Sequence, residues 1–161
     1  MLANNPGKNY SNFTLSLDFE LRWGTLELPK KYDENILGAR KAVPLMLKLF
    51  EKYKVEAIWA TVGLLFCKDY DDYEKFMPDT VPKYKNSKLN AFYFKPGKNE
   101  KEDKLHYANS LIKLIKETPG QEIASHSYSH FVADDPFQTK KNFSFLQTTS
   151  SFCFSSQVFQ V

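Results

Sequence analysis

The readable part of the chain opens on a strict alternation. In Thr14-Leu15-Ser16-Leu17-Asp18-Phe19-Glu20-Leu21 the apolar residues point one way and Thr14, Ser16, Asp18 and Glu20 the other. This predicts a strand from about Phe13 to Leu21, closed by Arg22-Trp23-Gly24, with Asp18 and Glu20 side by side on one face. Helical spacing follows from Glu34 to Tyr53, behind Asp33 as N-cap. Ile36, Ala39, Val43, Leu47 and Phe50 form one stripe, widened by Leu37, Met46 and Leu49. Pro44 lies inside it and predicts a kink, or two helices meeting near Val43. Val55 to Gly63 reads as a second, buried strand, and Leu64-Leu65-Phe66 as the start of a short helix. Strand, helix and strand in succession predict a right-handed parallel crossover.

The pattern then weakens. Residues 68–102 carry an acidic run, a basic run and Pro78, Pro82, Pro96 and Gly97, which reads as an inserted surface excursion of solvated charge. Ala91-Phe92-Tyr93-Phe94 is expected to pack within it as a short strand. A further helix is predicted over Lys104 to Lys116, capped by Asp103, with Leu105, Ala108, Leu111, Ile112 and Ile115 buried. Thr118-Pro119-Gly120 ends it, and Glu122-Ile123-Ala124 is the third strand. No internal repeat is present. Three segments result: a polar lead-in over 1–12, one α/β region over 13–136, and a tail over 137–161. The tail has no acidic residue, two lysines and no amphipathic period, and it reads as a truncated or frame-shifted end.

Composition narrows the classes. The chain has 161 residues, enough for one core, with ordinary proportions of hydrophobic (42%) and charged (25%) residues. A formal charge of +3, with no basic stripe interleaved with aromatics, argues against nucleic acid. Cys67 and Cys153 are too few for a disulfide framework. Met1 to Lys8 has no apolar signal core and no segment is long and apolar enough to span a membrane, so the expected location is cytoplasmic.

Chemistry concentrates after the third strand. In His126-Ser127-Tyr128-Ser129-His130 two of the three histidines lie four residues apart, a spacing that places both on one face of a helical turn. The zinc-protease pattern needs Glu after the first His, where this chain has Ser127. Two imidazoles and one carboxylate with an open position make a catalytic zinc pattern, and Asp18 and Glu20 are the carboxylates available from the first strand. Ligands of parallel α/β folds bind at the carboxyl ends of strands, where all four residues are expected. His106 is read as a packed or exposed histidine, not a ligand. Trp23 is read either as one wall of a sugar site or as a strand-end packing residue.

The two segments together resemble the NodB-type polysaccharide deacetylases. Ser16-Leu17-Asp18-Phe19-Glu20 looks like that family's first motif, and His126-Ser127-Tyr128-Ser129-His130 like its second, H-[ST]-x-x-H. Their order and separation fit, as does Ala60-Thr61 at the end of a middle strand. The first motif is usually T-F-D-D; here it is the spaced form Asp-x-Glu. The likeness runs from about Thr14 to Asp135. It implies an α/β fold of the incomplete, distorted TIM-like (β/α) barrel type, N-terminal half only. It also implies metal-dependent hydrolysis of N-acetyl groups on a sugar or polysaccharide.

On that likeness Glu20, His126 and His130 hold a divalent metal, zinc being the expected ion, and Asp18 is the general base. The reverse assignment of the two carboxylates stays open. In the family a late histidine, held by an acidic residue, protonates the leaving amine. This chain has no histidine after His130 and lacks the later Arg- and Asp-containing motifs. General acid catalysis is typically worth about 10²–10⁴-fold, so weak or absent turnover is expected. Two other readings stand beside this one: a non-catalytic carbohydrate- or metal-binding module, and a hydrolase of a small non-sugar amide.

Overall fold

A computed structural model describes residues 13–78 and 81–132. The lead-in, the tail and Cys153 lie outside the described residues. Three strands form one parallel sheet in the order β1 (Ser16–Phe19), β2 (Ala57–Thr61), β3 (Gln121–Ser125). The chain is therefore of the α/β class, as its alternation and helical spacing predict. β1 and β2 are shorter than their apolar runs, because the chain leaves the ladder as it turns into 3₁₀ turns at Leu21–Thr25 and Gly63–Phe66, whereas β3 extends one residue beyond its expected span at each end.

Helix α1 (Asp33–Tyr53) joins β1 to β2. It passes through Pro44 without a break. Val43 and Leu47, on either side of that proline, are buried in the same core, and tertiary packing holds one helix there and not two meeting near Val43. Asp33 is its first residue and not its cap. Ala39 and Leu49 face outward, which narrows the buried stripe to Val43 and Leu47, with Ile36, Met46 and Phe50 packed against the core. Lys54, left-handed at φ 54°, ends the helix by donating its N–H to Phe50 and Glu51.

The excursion is less superficial than its charge suggests. Helix α2 (Tyr70–Lys75) is capped by Asp69, whose side chain accepts the Asp72 N–H. It buries Tyr73, whose hydroxyl donates to the carbonyls of Ala91 and Phe94. Ala91–Tyr93 is a 3₁₀ turn and not a strand, because Asn90 accepts the Phe92 N–H through its side chain and bends the chain there. Most of the charged residues stay outside, Glu100 and Asp72 being half-buried, while single aromatic anchors bind the segment to the core. Such anchors have no period for a sequence to display.

Helix α3 starts at Asn109 and runs to Glu117, five residues later than its spacing suggests. Asp103 does not cap it. Its carboxylate accepts the N–H groups of Gly97 and Leu105 and pairs with the His106 ring, which holds 103–108 as a loop. Arg40 of α1 donates to the carbonyls of Lys104 and Tyr107 and pairs with Glu100, clamping that loop to α1.

Both long helices cover the same face of the sheet. Phe50 of α1 meets Trp59 of β2, and Leu111, Ile112 and Ile115 of α3 join the same core. The register places Ser16, Ile58 and Glu122 in one row of the other face, and Asp18, Ala60 and Ala124 in the next. None of those six residues is buried among the described residues. No described helix is long and apolar enough to cross a membrane.

Candidate metal centre

The backbone beyond β2 serves as a template for the histidine segment. His126 donates its N–H to the carbonyl of Thr61, at 3.0 Å, one step past the last ladder pair. Gly63 and Leu64 then donate to the carbonyls of Ser127 and Tyr128. This needs close approach. A Cβ at Gly63 would lie 2.5 Å from Tyr128 Cδ2 and 3.0 Å from its Cα. Tyr128 is fully buried, and its hydroxyl donates to the Phe76 carbonyl. The loop closes when Ser127 Oγ accepts the Phe131 N–H.

The two histidines are not on a helical turn. Ser127 (φ 58°) and His130 (φ 51°) are both left-handed, so the chain folds back on itself instead of spiralling. The expected result survives by another route: the two rings come together with centroids 5.2 Å apart.

Glu20 reaches them from across the sheet. It lies one residue past β1, at φ −133° and ψ −21°, and does not extend the strand as its alternation predicts. Leu21 follows with a left-handed φ of 47°. Glu20 Oε2 lies 3.0 Å from His130 Nε2 and 3.4 Å from His126 Nε2. One donor atom from each of the three residues falls within 4.8 Å of the others. Asp18 stands at the edge of this group, its Oδ1 3.9 Å from His126 Nδ1, too far for a hydrogen bond. Among the described residues three of the four non-glycine positions with positive φ adjoin or belong to this cluster: Leu21, Ser127 and His130. Backbone strain gathers where a site over-determines its geometry.

The electrostatics fit a cation. The hydrogen bond from His130 holds the Glu20 carboxyl below its ordinary value of 4.5, against the opposing effect of burial, and both imidazoles add attraction. The same bond raises His130 above 6.5, again against burial, with the charges of Glu20, Glu27 and Asp18 contributing. Two imidazole nitrogens and a carboxylate oxygen, half-buried and close together, could hold a metal ion.

Trp23 is not at this site. It is 2% exposed, its Nε1 donates to the buried carbonyl of His106, and its ring packs against Tyr73, Phe94 and His106. Of the two placements open to it, the structure shows the packing one, and no sugar-facing wall is formed by it. His106 is also internal: 4% exposed, hydrogen-bonded through Nδ1 to Asp103 at 2.9 Å, and stacked on Phe94. Its Asp103 partner lies three residues earlier, an interval the sequence displays but does not distinguish from a helical cap. Gly63 contributes to the site without any chemistry of its own, and no motif signals it. No protein family, curated protein or solved structure matches the chain. The likeness to the NodB-type deacetylases therefore rests on the residues of the two motifs.

Proposed function

We propose that the chain carries the metal-binding part of a hydrolase that removes N-acetyl groups from a sugar or polysaccharide. The observation that supports this most directly is the convergence of Glu20, His126 and His130 from two separate segments of the chain. They meet beyond the carboxyl ends of parallel strands, where α/β enzymes place their chemistry. The sheet supports the finer reading of an arc of a distorted (β/α) barrel. Its strands run in sequence order and both long helices lie on one face, as in a barrel wall and unlike a doubly wound sheet.

Position supports the following roles. Glu20 Oε2, His126 Nε2 and His130 Nε2 are the ligand atoms, since both imidazoles face that one oxygen. A divalent ion held there supplies a polarised acyl carbonyl and water with a pKa lowered to about 7. Asp18 is the general base. That role comes from the resemblance; its carboxylate is 65% exposed and lies 3.9 Å from His126 Nδ1, at the edge of the cluster. This geometry favours Glu20 over Asp18 as the metal carboxylate. His106, buried between Trp23 and Phe94, is not the proton donor to the leaving amine.

Metal analysis of the purified full chain tests the reading. About one equivalent of zinc is expected in the intact chain and in Asp18→Asn, and none in Glu20→Ala or His126→Ala. Weak acetate release from an N-acetylated oligosaccharide, lost in Asp18→Asn, is the expected signature of the reaction. A folded chain that takes up no metal would end this reading.

A further inference from the structure

The carboxylate of Glu20 has a prepared seat, and Gly24 forms it. A methyl group built on Gly24 would overlap Cδ, Oε1 and Oε2 of Glu20 together. The end of the Glu20 side chain therefore occupies the space where any other residue at position 24 would place its Cβ. The turn that brings Gly24 there is held firmly. Trp23 donates its N–H to the Glu20 carbonyl at 3.1 Å, and Arg22 donates to the Leu105 carbonyl at 3.1 Å. Leu21, Arg22 and Trp23 are all buried. Gly24 itself is not in the left-handed region, so alanine there meets no backbone strain.

We propose that Gly24 is a positioning residue for the metal carboxylate, and that its missing side chain fixes which way Glu20 points. This rests on the metal reading of the site. When a side chain is introduced at position 24, either the turn or the carboxylate must give way. The turn is pinned by two backbone hydrogen bonds and three buried side chains. The carboxylate is the far end of a flexible chain, and its motion leaves the core untouched. Glu20 thus swings away from His126 and His130, and the fold remains. Gly24 is in this way a position that the core tolerates changing and the site does not.

The experiment compares the full chain with Gly24→Ala, using zinc alone and then cobalt(II) alone as probes. Supports of a metal ligand typically matter about 10- to 100-fold in affinity, and a loss of that size is expected for zinc. The visible absorption of bound cobalt should change with it, which a purely structural role would not produce. The melting temperature of the metal-free variant should stay within about 4 °C of the parent. Equal zinc affinity and an unchanged cobalt spectrum in the two chains would overturn the proposal. So would a Gly24→Ala chain that loses its fold together with its metal. A parent chain that binds neither ion would refute the metal reading instead, and the two failures are distinguishable.

Discussion

Gly63 and Gly24 both yield space to another residue, and the residues they yield to differ in freedom. At Gly24 the neighbour is the tip of a side chain. At Gly63 it is the ring and the Cα of Tyr128, which is fully buried and tied to Phe76. Neither can retreat without moving the histidine segment. Gly63→Ala should therefore cost about 1–3 kcal/mol of stability, the usual range for overpacking, and weaken metal binding at the same time. Chemical denaturation and zinc titration of one preparation would check both, and a fully stable variant would contradict the close approach. At this scale the sequence displays chemistry better than support. Asp18, Glu20, His126 and His130 are legible because their side-chain types and spacing are unusual together. Trp23 is not, because an indole at a strand end suits a core and a sugar site equally until its burial is known. The two glycines are silent, since what they do is set by how the fold brings a neighbour against them.

Helix α1, helix α3 and the loop between residues 97 and 108 are joined by charged groups, which makes this junction sensitive to acid. Burial pushes the carboxyls of Glu100 and Asp103 up. Hydrogen bonds outweigh it: Ser110 and Arg40 lower Glu100, while His106, Gly97 and Leu105 lower Asp103. Each therefore titrates below its ordinary value, 4.5 for Glu100 and 3.8 for Asp103. A depressed carboxyl contributes stability that is complete above its unfolded pKa and lost as pH falls through the folded one. The metal-free chain should thus lose stability as pH falls from about 5 to below both ordinary values. In Asp103→Asn the difference in melting temperature across that interval should narrow. An unchanged difference would show that Asp103 does not titrate with folding. The same junction explains where element boundaries were hard to read. Asp103 before a helical stripe has the form of an N-cap, but its oxygens are engaged by Gly97 and His106. The helix then begins only at Asn109, past the reach of any local signal. The existence and order of the three strands and two long helices depend on period alone and were legible. Their ends depend on long-range partners such as Arg40 and Leu105, and were not.

The described residues form a one-sided layer, and this sets how their stability is distributed. The helices seal the face that carries Phe19, Trp59 and Ile123, and Phe19 meets Trp59 edge-on at 6.1 Å. The opposite face leaves Ile58, Ala60 and Ala124 half-exposed between Asp18 and Glu122. β2 is paired on both sides, whereas β1 and β3 each have one partner among the described residues. The backbone of β2 also runs directly into Val62–Phe66, which is buried throughout and holds the histidine segment by two hydrogen bonds, with a third from His126 to Thr61 of β2 itself. Local opening therefore has its highest cost along residues 57–66 and its lowest at the outer edges of β1 and β3. Native-state amide exchange should be slowest in 57–66 and markedly faster at the outward-facing amides of 16–19. Zinc should slow exchange at 20–25 and 126–131 and leave 57–66 nearly unchanged. A ligand stabilises only what must open to release it, and those two segments are the ones that part when Glu20 leaves His126 and His130. Uniform slowing across the sheet would mean instead that the metal-binding segments open only with global unfolding, and that β2 is not an independently stable spine.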